Sequence, residues 1–210
     1  MSKLILTADQ IYALAYILKA KYLDYYYISQ AKRVNNNGLW LSECTKQLVS
    51  SGVLTEDFSG DTSIDSDLEE LLKPIYFSTK ESSLDINILG DNEDNIGFRF
   101  HYLGDKTVMT KTVDEGIEIS DVSSVDIINI VNGLIAPDYS AITEKTDIEL
   151  DISKISRVFV VKNIELNVSS QNVVFLESDG MIYEQNTDSD IFTVSYSDFT
   201  NRIIQVLTEV

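Results

Sequence analysis

Histidine and cysteine occur once each in this 210-residue chain, and proline only twice. A single cysteine, Cys44, cannot form a disulfide within the chain, so the fold must be held by its core, which a chain of this length can build. A single histidine, His101, leaves any Ser-His-Asp, Cys-His or His-based zinc arrangement dependent on one side chain. On an alternating strand, beside Arg99 on the same face, that histidine reads as a surface or sheet residue. Cys44 falls on the apolar side of a helix with Leu41 and Leu48, where a free thiol behaves as a small apolar group. Neither G-x-x-x-x-G-K-[ST] nor G-x-G-x-x-G occurs, so both nucleotide fingerprints are missing. The acidic stretches 61–67 and 91–95 lack the spacing of a calcium loop and read as solvated turns. The sequence therefore predicts no catalytic residue, no cofactor, no metal and no enzyme.

Positive charge is also scarce, with 16 basic against 34 acidic side chains and a net charge of −18. It is concentrated at one end. Residues 1–54 carry six basic and three acidic groups, while the rest carry ten against thirty-one. Nucleic acid, whose affinity rests on Lys and Arg meeting phosphates, is excluded as a partner, and anionic membrane surfaces are disfavoured for the same reason. No apolar run is long enough to insert in a membrane. The opening MSKLILTADQ has no signal-peptide core, and the expected compartment is the cytoplasm.

What the sequence does contain is periodicity. Thr7 and Gln10 form a T-x-x-Q capping box ahead of a helix with Ile11, Leu14, Ala15 and Leu18 on one face. The tyrosine cluster 22–27 follows, with Tyr22 and Tyr26 expected in the core and Tyr25 or Tyr27 exposed. The Asn35 to Gly38 run breaks that segment, and Leu39 and Trp40 are expected as exposed anchors for a partner. A helix from Leu41 stops at Gly52, and another, capped by Asp65 or Ser66, closes at Pro74.

Beyond Ser78 the apolar period becomes two. Leu84, Ile86 and Ile88 share a face, as do Ile96, Phe98, Phe100 and Tyr102, with Arg99 and His101 opposite. Turns at 104–105 and 114–116 lead to a helix over 121–132 with Val125, Ile128 and Val131 inward. Residues 136–155 read as a linker. Strands at 157–161, 164–168, 173–177, 181–184 and 192–196 follow, then a helix over 197–207 with Phe199, Ile203 and Val206 on one stripe. The windows from Ile96 and from Gln171 thus repeat one unit of strands and a helix, 75 residues apart without a gap. The fold class is α+β, with antiparallel sheet or sheets from two pseudo-repeated halves and N-terminal helices covering one face. The halves are 1–135 and 136–210, packed as one body.

The order LTADQIYALAYIL, KQLVSSGVLTEDF, DSDLEELLKPI, LDINIL, IGFRFHYLGDKTVMTKT and EGIEISDVSSVDIINIVNGLI resembles the EspG-type chaperones of type VII secretion systems, with the EsaE-like proteins of firmicutes as the closer branch. The resemblance implies a non-enzymatic cytosolic chaperone that keeps a helical export substrate soluble, either a secreted toxin or a WXG100-like protein, and hands it to a secretion ATPase. It places the client contacts by position at Gly90, Asp91, Asn92, Glu93, Asp94 and Asn95, with Arg99 and His101 on the adjoining strand. No tyrosine has Asp or Glu four residues later and Trp40 is followed by Leu-Ser, so the export signals Y-x-x-x-[DE] and W-x-G are missing. The chain reads as handler and not as cargo. An acidic immunity protein that neutralises a cognate toxin is the alternative.

Overall fold

The computed structural model describes residues 3–32, 37–90, 94–134, 150–165, 171–185 and 191–208. The chain is α+β, with helices and a large antiparallel sheet. Its contacts group it into two compact units, residues 1–78 with 101–121 and residues 79–100 with 122–210, so that β5 (Asp94–Leu103) is divided between them. No helix among the described residues is long and apolar enough to cross a membrane.

The first unit opens with β1 (Lys3–Leu6), which is too short to announce itself by alternation and pairs antiparallel with β7 (Gly116–Asp121). Thr7 then caps α1 (Ala8–Ile17) through the expected box. The Gln10 N–H donates to Thr7 Oγ1 at 3.2 Å, and the Thr7 N–H donates to Gln10 Oε1 at 2.8 Å. Asp24 caps the short α2 (Tyr25–Gln30), and that start point decides which tyrosine is buried. It is Tyr27, fully enclosed, whereas Tyr22, expected inside, is exposed and Tyr26 is half-buried.

Helix α3 (Asn37–Ser50) starts earlier than the expected Leu41, within the Asn35 to Gly38 run, of which residues 35 and 36 lie outside the described residues. It ends as expected on Gly52 at φ +77°, where the Gly52 N–H reaches the Val49 carbonyl and the Val53 N–H reaches the Leu48 carbonyl. That pair of bonds satisfies two carbonyls the helix end would leave open. Val53 and Leu54 are thereby set into the core. A small hairpin, β2 (Leu54–Glu56) with β3 (Thr62–Ile64), is followed by α4 (Ser66–Phe77), capped by Asp65. Pro74 does not close α4, which runs on to Phe77, because a proline so near the end removes only one intrahelical bond. With β6 (Lys106–Val113), the strand order in this unit is β1-β7-β6-β5. Leu6, Ile11, Leu14, Leu48, Leu72 and Ile119 lie in its core.

The second unit holds β4 (Lys80–Ile88), β8 (Ile155–Glu165), β9 (Gln171–Ser178), β10 (Met181–Gln185) and β11 (Ile191–Val194), in the order β5-β4-β8-β9-β10-β11. The two strands expected at 157–161 and 164–168 are one, β8, as far as Glu165; residues 166–168 lie outside the described residues, as does 136–149 of the expected linker. Helix α6 (Tyr196–Thr208) lies on this sheet through Phe199, whose ring meets Phe159 and Phe175 edge-on at 5.0 and 4.8 Å. Its last carbonyls are satisfied from the sheet, Val206 by Asn163 Nδ2 and Leu207 by the Ser82 hydroxyl.

The repeat is longer than the sequence windows suggested. β4 and β8 also start 75 residues apart, at Lys80 and Ile155, and they pair with each other. Leu84 faces Val161, the equivalent of Ile86, and Ile86 faces Phe159, the equivalent of Leu84, while Asp85 faces its own equivalent, Val160. Such reciprocity is the signature of a twofold contact, with the local axis between Asp85 and Val160. After the last strands the offset shortens to 72. Ser123 and Asp126 cap α5 (Ser124–Leu134) just as Ser195 and Asp198 cap α6. Ile127 and Val131 therefore correspond to Phe199 and Ile203 and are buried, whereas Val125, expected inward from its helical spacing, is exposed and Ile128, expected inward likewise, is half-buried.

Candidate partner-binding face

Directly paired residues of an antiparallel sheet point to the same side. Phe159 and Phe175 face each other across β8 and β9 and lie under α6, so Val158, Val160, Val174 and Leu176 occupy the opposite face. Val158 is paired with Leu176 and Val160 with Val174, and all four are half-buried. Asp85, opposite Val160, carries the same face onto β4.

There the chemistry changes. Arg99 Nη1 donates to Asp85 Oδ1 at 2.8 Å and to the Phe98 carbonyl at 3.0 Å, and both side chains are largely shielded. The pair lies across Gly97, where an added Cβ would come to 3.1 Å of Asp85 Oδ1. Under the 75-residue offset, Asp85 and Arg99 are the counterparts of Val160 and Val174. One side of the axis thus presents an ion pair where the other presents two valines.

The residues expected to bind a partner are spread more widely than the sequence suggested. Gly90 is exposed, at φ +125°, just beyond β4. Asp91, Asn92 and Glu93 lie outside the described residues. Asp94 and Asn95 are the exposed first residues of β5, with the Asn95 N–H donating to Asp94 Oδ1. Arg99 belongs to the face just described. His101 does not, since it is fully buried in the first unit, its Nε2 2.7 Å from the Tyr27 hydroxyl, which also lies 2.7 Å from Thr110 Oγ1. Of the two readings of it, surface or sheet residue, the second holds: it lies on β5 and its burial takes it off the surface. Leu39 is 70% exposed, while Trp40 is half-buried against Tyr12 at 5.4 Å between ring centroids and donates its indole N–H to Asp9.

The sequence pattern passed over Val158, Val160, Val174 and Leu176. The signal was present in RVFVV and NVVFL, where both faces of the strand are apolar although α6 covers only one. Alternation identifies an inward face, and the residues between were left without a role. Among the described residues no group of three or more His, Cys, Asp or Glu is placed to hold a metal ion.

No protein-family model and no curated protein matches the sequence. A solved structure does match, at 8% identity with a TM-score of 0.62, over 99% of this chain and 96% of that one. It is the Mycobacterium tuberculosis type VII secretion system chaperone EspG5 in complex with the PE25–PPE41 dimer. At so low an identity the likeness rests on the path of the backbone, and over nearly its whole length this chain has the EspG chaperone fold.

Proposed function

We propose that this chain is a non-enzymatic chaperone of type VII secretion that holds a helical export substrate, a secreted toxin or a WXG100-like protein, in the cytosol before handing it to a secretion ATPase. The observation that carries the reading is the apolar face of the second unit opposite α6, on a chain with the fold of EspG5. An apolar sheet face that the sheet's own helix leaves uncovered marks an interaction site. It suits the apolar stripe of an amphipathic helix, which is the part of a helical client that must be kept from aggregating. Arg99, Gly90, Asp94 and Asn95 border this face in the proposal, and Leu39 and Trp40 offer a second contact on the first unit.

The test is co-purification with the separated halves of a candidate toxin substrate. The helical half is expected to be retained and the catalytic half lost. Retention of the catalytic half alone, with loss of its activity, would make the protein an immunity factor instead. Val160→Thr with Val174→Thr, which keeps the branched shape and adds two hydroxyls, is expected to weaken capture of the helical half at least tenfold.

A further inference from the structure

We infer that the Asp85–Arg99 pair is a specificity determinant of the client face, a polar seat that admits helical substrates carrying a hydrogen-bonding group opposite it and rejects uniformly apolar ones. The inference rests on the sheet face being the client site. It starts from the broken symmetry of the duplicated sheet. Strand geometry places Asp85 and Arg99 in one copy where Val160 and Val174 stand in the other. The valine pair shows that the equivalent position in the other copy is filled by apolar residues.

The pair is also closely backed by the strand. Gly97 lies beneath it, with room for an added Cβ only at 3.1 Å from Asp85 Oδ1, and the Phe98 carbonyl anchors the guanidinium from the backbone. Covering the pair with an apolar side chain removes the remaining water from both charges and supplies nothing in return, which is unfavourable. Covering it with a polar turn, or with the open carbonyls at a helix C-terminus, restores the hydrogen bonding that water provided. The valine pair across the axis takes the client's apolar side chain. A helical hairpin whose tip has one polar and one apolar end therefore fits in one orientation, which a fully symmetric face could not impose.

The experiment compares the wild-type chain with Asp85→Val/Arg99→Val, which makes the two copies alike. The probes are the helical half of the candidate toxin retained in that co-purification and, as a foreign helical pair, the purified PE25–PPE41 dimer, both measured by biolayer interferometry. The double variant is expected to hold the toxin's helical half at least tenfold more weakly, its polar group then facing two valines, and to bind the foreign pair no more weakly than wild type does. An unchanged ratio of the two affinities overturns the seat, and so does loss of both. Urea midpoints confirm that the variant is folded, and Gly97→Ala, which crowds the pair without removing a charge, is expected to weaken capture of the toxin's helical half. The underlying reading fails separately, if Val160→Thr/Val174→Thr leaves capture unaltered.

Discussion

Replacing Tyr27 by phenylalanine removes one oxygen atom from the centre of the first unit. That hydroxyl lies 2.7 Å from both His101 Nε2 and Thr110 Oγ1, all three residues being buried. Losing it deprives two enclosed polar groups of a partner, at about 1–3 kcal/mol for each. Part of that is recovered by dehydrating one hydroxyl fewer, which gives a net loss of about 2–4 kcal/mol. With a urea dependence of about 2 kcal/mol per molar, the unfolding midpoint should fall by about 1–2 M. Tyr25→Phe is the matched control, the same change two residues away on a side chain 76% exposed, and should stay within about 0.5 kcal/mol of wild type. Circular dichroism and fluorescence during urea titration measure both variants. If the two midpoints agree within about 0.25 M, the burial of Tyr27 and its role as the link to His101 are refuted.

Gly116 sits at φ +145°, and an added Cβ would come within 2.7 Å of the Leu6 carbonyl oxygen. Gly116→Ala should therefore push β1 off β7, seen as faster amide exchange in β1 with exchange in α6 unchanged. The carboxylates of Asp126 and Asp151 are held below the usual range by hydrogen bonds from the side chains and then the backbone of Ser123 and Ser153, and that of Asp57 by the Ser59 side chain and then the Asp61 backbone N–H. A depressed folded-state value means that the unfolded chain takes up the proton first. Their stabilisation is then complete above about pH 4 and lost as pH falls through the folded values. Urea midpoints taken from pH 7 down to pH 3 should show this, and Asp126→Asn should flatten its share of the acid slope. An acid slope unchanged by that substitution would refute the assignment.

The helix starts and stops were legible where a side chain or a glycine dictates them: the Thr7–Gln10 box, the Asp65 cap and the Gly52 stop were all recognisable from residue type and spacing. The buried tyrosine was not, because four tyrosines in six residues suit either side of a helix until Asp24 sets its first turn. The helix alignment failed for a related reason. Ile128/Ile203 and Val131/Val206 coincide in type without coinciding in place, since three residues separate the capping serines from the register of the strands. Of the candidate site, Arg99 was readable as a cation on a strand. Its partner Asp85 alternates with Leu84 and Ile86, which puts it on the other side of β4, but no pattern within one strand discloses which residue of the next strand it meets. The face of Val160 and Val174 became visible only once α6 was seen to lie on the other side.

The reciprocal register of β4 and β8 also bears on assembly errors. A strand that pairs with its own duplicate can pair just as well with the duplicate in another molecule, or with itself, while the chain is incompletely folded. Two β4 strands meeting in this register would set Asp85 against Asp85, and like charges directly opposite each other repel. Two β8 strands would set Val160 against Val160 and meet no such barrier. The carboxylate on the axis therefore guards only one of the two possible homotypic mispairings, and tangled oligomers formed during refolding at high concentration should be joined through β8.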